Sequence, residues 1–191
     1  MVRCFLIHTV CPVSGLSAGE SRVLYSRVFG PDEGVLTEQH RELGPEERRL
    51  LQKEKVAVVA RQVRSAVSLS REASGRLPVE TVPGEEALAL QEATCGVVRL
   101  RAGEPFSEEM SALWMGVQNL GFTLVCEPHE NLLLAEGTLR NLTRHCLEQA
   151  LLKSSRIDAV LSRLLPHGQL LFLNHRFAQS LEKEVAAYMA K

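Results

Sequence analysis

From Val2 to Val10 the chain is rich in β-branched and aromatic residues, with apolar side chains on both alternate faces. That is the pattern of a central strand covered on both sides, and the Pro12, Gly15 and Gly19 cluster ends it. Arg22 to Phe29 gives a second strand, so the pair reads as a hairpin with a long loop, stopped by Gly30-Pro31. After a flexible loop at about 30–44, Pro45 stands where a first helical turn begins. Val56, Val59, Ala60, Val63, Ala66 and Val67 then recur at helical spacing, which predicts a long helix to about Ser70. From Arg71 to Thr94 the residues are dominated by Gly, Pro, Ser and Glu, the composition of a mobile surface insertion.

Three more strands are expected at Gly96 to Arg101, Ala112 to Gln118 and Gly121 to Cys126, with Asn119 and the following Leu120-Gly121 forming a tight turn between the last two. Beyond Pro128, Leu132, Ala135, Leu139, Leu142 and Cys146 recur by threes and fours along a second helix, despite Gly137. Ser155 is placed to cap a third helix carrying Ile157, Val160, Leu161, Leu164 and Leu165, which Pro166-His167-Gly168 terminates. An extended run from Leu170 to Leu173 follows, and Asn174 is placed to cap a last helix with Phe177, Leu181 and Val185. The order is ββαβββα with helical additions over about 155–191, an α/β (α+β) arrangement in one domain, 1–191.

The 191 residues suffice for one core and are too few for two comfortable ones. Hydrophobic residues make up 45% and charged residues 24%, with a formal net charge of −1, as in an ordinary globular chain. The pI of about 6.6 and the mixing of Lys/Arg with Glu along the helices argue against a nucleic-acid face. The five cysteines are odd in number, dispersed and without a Cys-x-x-Cys, so a disulfide framework or zinc ribbon is not indicated and a reducing compartment fits. No apolar run is long enough to span a bilayer, so any membrane contact is expected to be peripheral. Met1 to Ala18 has some features of a signal peptide, but His8 and Thr9 interrupt its apolar stretch and a buried strand accounts for the same residues. In that reading Asn141-Leu142-Thr143 is a chance glycosylation sequon.

The sharpest hint of catalysis is Gly15-Leu16-Ser17-Ala18-Gly19, which matches the G-x-S-x-G pattern of a serine nucleophile. That pattern needs a strand running directly into a helix, and here it lies between two strands. Asp158 and His167 follow in the order of such triads, but one falls early in a helix, where a carboxylate suits the dipole, and the other in a turn. A small serine hydrolase using Ser17 is therefore a minor alternative. The six histidines include no pair four apart on one helix face, and His145 and Cys146 point apart, so no metal site is expected. His8, Cys146, Trp114 and Phe122 read as core, and Glu136 with Arg140 as a surface ion pair. No phosphate-binding glycine loop occurs, and no cofactor is expected.

The strings MVRCFLIHTV, RVLYSRVFG, QKEKVAVVARQV, LGFTLV, HENLLLAEGTLRNLTR and RIDAVLSRLLPHGQLLFLN resemble the sigma subunits of the fifth adaptor protein complex, small adaptins of the longin-like family. The resemblance implies a longin-like (SNARE-like) fold, a five-stranded antiparallel sheet with one helix on one face and the later helices on the other. It implies a non-enzymatic subunit in a heterotetramer with two large adaptins, of zeta and beta type, and a medium (mu) subunit. Such a complex sorts cargo in endosomal vesicle-mediated transport, cytoplasmic and peripherally bound to late endosomes and lysosomes, with further late-endosomal scaffold proteins as partners.

An obligate interface with a large helical subunit buries roughly 2,000 Å² or more, and Leu170, Leu171 and Phe172 are the expected contributors here. Clathrin-linked sigma subunits also hold acidic dileucine signals, with an arginine near the second strand and an apolar pocket by the second long helix. Arg22, Val117 and Leu142 fall at the matching positions, although the stretch between Cys146 and Arg156, a pocket wall in that pattern, is shorter in this chain. Other readings are a longin-type membrane-fusion protein, for which the last helix is too short, and a dimeric trafficking scaffold of longin or roadblock type.

Overall fold

Val2–Thr9 forms β1, second in the sheet, and both of its faces are buried, as apolar residues on both faces require. The computed structural model describes residues 1–12, 15, 17, 19–30, 44–75, 90–103, 105–150, 153–171, 179, 180, 183, 184 and 186–188. The other strands are β2 (Val23–Val28), β3 (Thr94–Leu100), β4 (Met110–Val117) and β5 (Leu120–Cys126), and the helices are α1 (Pro45–Ser74), α2 (Leu132–His145) and α3 (Ser154–Leu164). The five strands form one sheet in the order β2-β1-β5-β4-β3, every neighbouring pair antiparallel.

The sheet separates two cores. Cys4, Leu6 and Val10 of the first strand segment join Val125, Trp114 and Ala112 under Val56, Val59, Val63 and Val67 of α1. Phe5 and Ile7 point the other way, with Leu113, Met115, Phe122 and Leu124, under Ala135, Leu139 and Leu142 of α2 and Val160, Leu161 and Leu164 of α3. Val2 breaks the strict alternation and belongs with Phe5. A register shift against β5 between Val2 and Cys4 inserts one extra residue, and such a bulge turns the side chain over. One helix on one face and two on the other is the expected longin-like layering.

α1 begins with Pro45 at its first position, where a missing N–H costs nothing, and the Glu47 carboxylate accepts the Gly44 N–H at 2.9 Å. It runs to Ser74, a turn beyond the expected Ser70, and closes on Gly75 in the left-handed region (φ 63°). Across the sheet, residues without side chains make room for it. A Cβ on Gly121 would lie 2.6 Å from Val10 Cγ1 and 2.8 Å from His8 Cε1, and one on Gly96 would lie 2.5 Å from Trp114 Cζ2.

Several local expectations are corrected. The β4–β5 turn is Gln118-Asn119, with Gln118 in the left-handed region (φ 51°), and Gly121 serves packing rather than the turn. α3 starts at Ser154 after Lys153, with no side-chain cap, so Ser155 is not the cap. Leu132 is 37% exposed, and the buried stripe of α2 starts at Ala135; the helix then passes into a π-turn, Cys146–Ala150. Asp158 does not serve the α3 dipole but reaches across to β2. Phe172, Asn174, Phe177, Leu181 and Val185, and most of the two expected loops, lie outside the described residues.

Candidate functional site

Val117 and Leu142 are brought into one core cluster, 1% and 0% exposed, between the end of β4 and the last turns of α2. Arg22 stands at the same end of the sheet, because its backbone bonds to Thr9, which faces Leu120, which in turn faces Val117. The Arg22 side chain is exposed, whereas the two apolar residues are buried in the core between α2 and the sheet. The three therefore share a region without forming an open pocket. Leu170 and Leu171 are half-buried after the Pro166–Gly168 turn, and Leu170 packs against the core beneath α2 and α3.

Ser17 lies in the β1–β2 connection, its N–H bonded to the Glu20 carboxylate at 3.1 Å. Asp158 is committed elsewhere, accepting the Tyr25 hydroxyl at 2.5 Å and an Arg27 N–H at 3.2 Å. His167 occupies the left-handed region (φ 51°) in the turn at the Val2 end of β1, where its neighbour Gly168 packs on Val2 and Phe29. Ser17 sits at the Thr9 end, so the length of a strand, roughly 24 Å, separates serine from histidine. The triad order in the sequence does not become a triad in space.

Three buried titratable residues, His8, Cys126 and Cys146, are held in their neutral forms. His8 is fully buried, with Nε2 3.1 Å from the Thr123 hydroxyl and Nδ1 3.0 Å from the Ser21 hydroxyl and 3.2 Å from the Thr9 carbonyl. Burial lowers its pKa to about 4, only partly opposed by the Thr9 carbonyl. Burial likewise pushes the Cys126 and Cys146 thiols up to about 12, which makes both plain apolar fillers. Among the described residues no group of three or more His, Cys, Asp or Glu converges as metal ligands would.

One surface went unread in the sequence. α2 lies over β4 and β5, and α3 is tied to β2 through Asp158. Helices pack about 8–10 Å apart and strands about 4.8 Å, so two helices cover about four strands. Among the described residues no helix covers the fifth, β3, on that face. A half-open cleft of about 290 Å³ results, lined by Cys95 and Val97 of β3, Leu113 and Met115 of β4, and Glu136 and Leu139 of α2. Glu136 and Arg140 pair at its rim, 3.6 Å apart, as their spacing suggested. The sequence signal was the outward set Cys95, Val97 and Arg99, which looks like any amphipathic strand until the helix above it is known to stop short.

A five-stranded antiparallel sheet with one long helix on one face and two helices on the other defines a longin-like α+β domain of the small-adaptin kind. The family model described as AP-5 complex subunit sigma-1 matches residues 1–186. The Homo sapiens protein named AP-5 complex subunit sigma-1 is 48% identical over 198 residues, covering 98% of each chain. The Mus musculus protein of the same name is 44% identical over 150 residues, covering 78% of this chain and 87% of its own. The chain belongs to the AP-5 complex sigma-1 family, the small subunits of an adaptor complex.

Proposed function

We propose that this chain works by assembly rather than turnover, as the non-enzymatic small subunit of a heterotetramer containing two large adaptins, of zeta and beta type, and a medium (mu) subunit. In this reading it stabilises a large adaptin, contributes to endosomal cargo sorting, and meets late-endosome and lysosome membranes only through the complex and its scaffold partners. The similarity over nearly the whole length to proteins named AP-5 complex subunit sigma-1 carries the reading. Among the described residues no helix is long and apolar enough to cross a membrane, which agrees with peripheral attachment.

Leu170 and Leu171, half-buried at the margin of the α2/α3 core, with Phe172 next in the chain, are the proposed contact to the large subunit. Arg22, Val117 and Leu142 are retained as a proposed sorting-signal pocket, one that opens only if the end of α2 and its π-turn move away from β4. Unchanged capture of a dileucine peptide by an Arg22→Ala, Leu142→Ala double variant would remove that pocket from consideration.

The deciding experiment is gel filtration of the chain from cytosol in mild buffer, with identification of what co-elutes. Stoichiometric recovery with two large adaptins and a medium subunit is expected. An isolated monomer would overturn the reading, and an equal-mass dimer would point to a roadblock-type scaffold. A reactive-serine probe is expected to leave Ser17 unlabelled.

A further inference from the structure

We propose that the outer edge of β3 and the cleft beside it receive an extended segment of another adaptor subunit, which pairs backbone to backbone with Thr94–Leu100 and lays apolar side chains beside the exposed Val97 at the mouth of the cleft. The inference rests on the adaptor reading and names the surface and the kind of partner.

The two edges of the sheet are built differently. Along β2 the pairing with β1 slips between Ile7 and His8, leaving Leu24 as an unpaired, half-exposed extra residue, and Tyr25 and Arg27 are tied to α3. Bulges and covering elements are the usual means of blocking strand addition. β3 has neither. Its seven residues pair with β4 in unbroken register from Thr94↔Gly116 to Leu100↔Met110, and among the described residues it has no second strand neighbour. It carries no proline or lysine, and Val97 is 51% exposed. A flat edge with every second backbone N–H and C=O facing outward calls for another backbone, not a lipid or a small molecule.

The cleft specifies side chains of that strand. Its lining is apolar apart from Glu136, whose charge Arg140 neutralises at the rim, and with Leu113, Met115 and Leu139 almost fully buried its mouth suits an aliphatic side chain rather than a cofactor. Two β3 edges set back to back, about 24 Å long and about 10 Å thick, would bury roughly 500 Å² in total, well under the roughly 1,200 Å² of a stable dimer. A second copy is therefore not the occupant. A segment of a subunit already held by the complex needs far less area, because tethering makes the pairing intramolecular.

Hydrogen exchange of the isolated chain and of the assembled complex tests this. The β3 amides directed away from β4 are expected to exchange freely in the isolated chain and about tenfold or more slower in the complex. Val97→Lys, or Cys95→Lys if the first fails to fold, is expected to abolish that slowing, and Leu24→Lys on the opposite edge to leave it intact. A complex that assembles with these amides unprotected, or protected regardless of Val97→Lys, overturns the inference and leaves the adaptor reading standing. Absence of any complex overturns both, and concentration-dependent protection in the isolated chain would assign the edge to a second copy.

Discussion

The Tyr25 hydroxyl donates a 2.5 Å hydrogen bond to the Asp158 carboxylate, joining the edge strand β2 to α3 across 133 residues of sequence. Arg27 reinforces the same carboxylate at 3.2 Å and the Ser162 hydroxyl at 3.4 Å, so α3 is held to the sheet margin by polar contacts as well as by its apolar stripe. Burial, and then Asp158, raise the Tyr25 pKa, keeping the phenol a donor. Tyr25→Phe removes that donor from a half-exposed carboxylate and is expected to cost about 1 kcal/mol in urea unfolding. No change would mean that apolar packing alone holds α3.

The buried His8 makes stability depend on pH in a defined window. Its folded pKa of about 4 lies below the ordinary value of about 6.5, so the unfolded chain binds the proton first. Stability from this residue is complete above about pH 6.5 and falls as the pH is lowered towards 4, by about 3 kcal/mol in all. Chemical unfolding at pH 7, 6, 5 and 4 is expected to show the decline, and His8→Gln to flatten it.

Gly121 and Gly96 are set by what lies over them. Gly121→Ala brings a methyl against Val10 and the His8 ring, and overpacking of this kind is expected to cost about 1–3 kcal/mol. Gly96→Ala strikes the indole of Trp114, the single tryptophan of the chain, so a changed emission spectrum in the folded state reports displacement directly. Native emission and unaltered unfolding in both variants would contradict the close approach.

Gly137 is the opposite case. It lies on the exposed side of α2, and a Cβ there meets nothing within 4 Å. Gly137→Ala therefore removes backbone freedom without a clash and is expected to raise stability by about 0.5–1 kcal/mol, read as a higher unfolding midpoint.

The elements whose burial is two-sided or strictly periodic were legible in the sequence. β1 declared itself because both faces are apolar, and α1 because its valines recur at helical spacing. Local chemistry that serves a distant neighbour was not legible. Gly121 resembles a turn residue until the His8 ring is placed over it, and Asp158 resembles a helix-dipole partner until Tyr25 and Arg27 arrive from a strand far away in sequence. The β3 cleft is a matter of widths, two helices over five strands, and no single residue announces it. Arg22, Val117 and Leu142 lie towards one end of the sheet, and only the packing shows that two of them are buried.

The placement of β1 also bears on how the chain is made. His8 and Thr123 bond to each other across 115 residues, and β5 is the strand that completes one whole side of β1. At about 5–20 residues per second, synthesis leaves Phe5, Leu6 and Ile7 without that partner for roughly 6–23 s. During that interval one edge of β1 is unpaired, and its cover within the chain is the bulged hairpin to β2 on the other edge and α1 on one face. The α2/α3 face of β1 is then open, so cellular yield is expected to fall when chaperones that hold apolar segments are limiting.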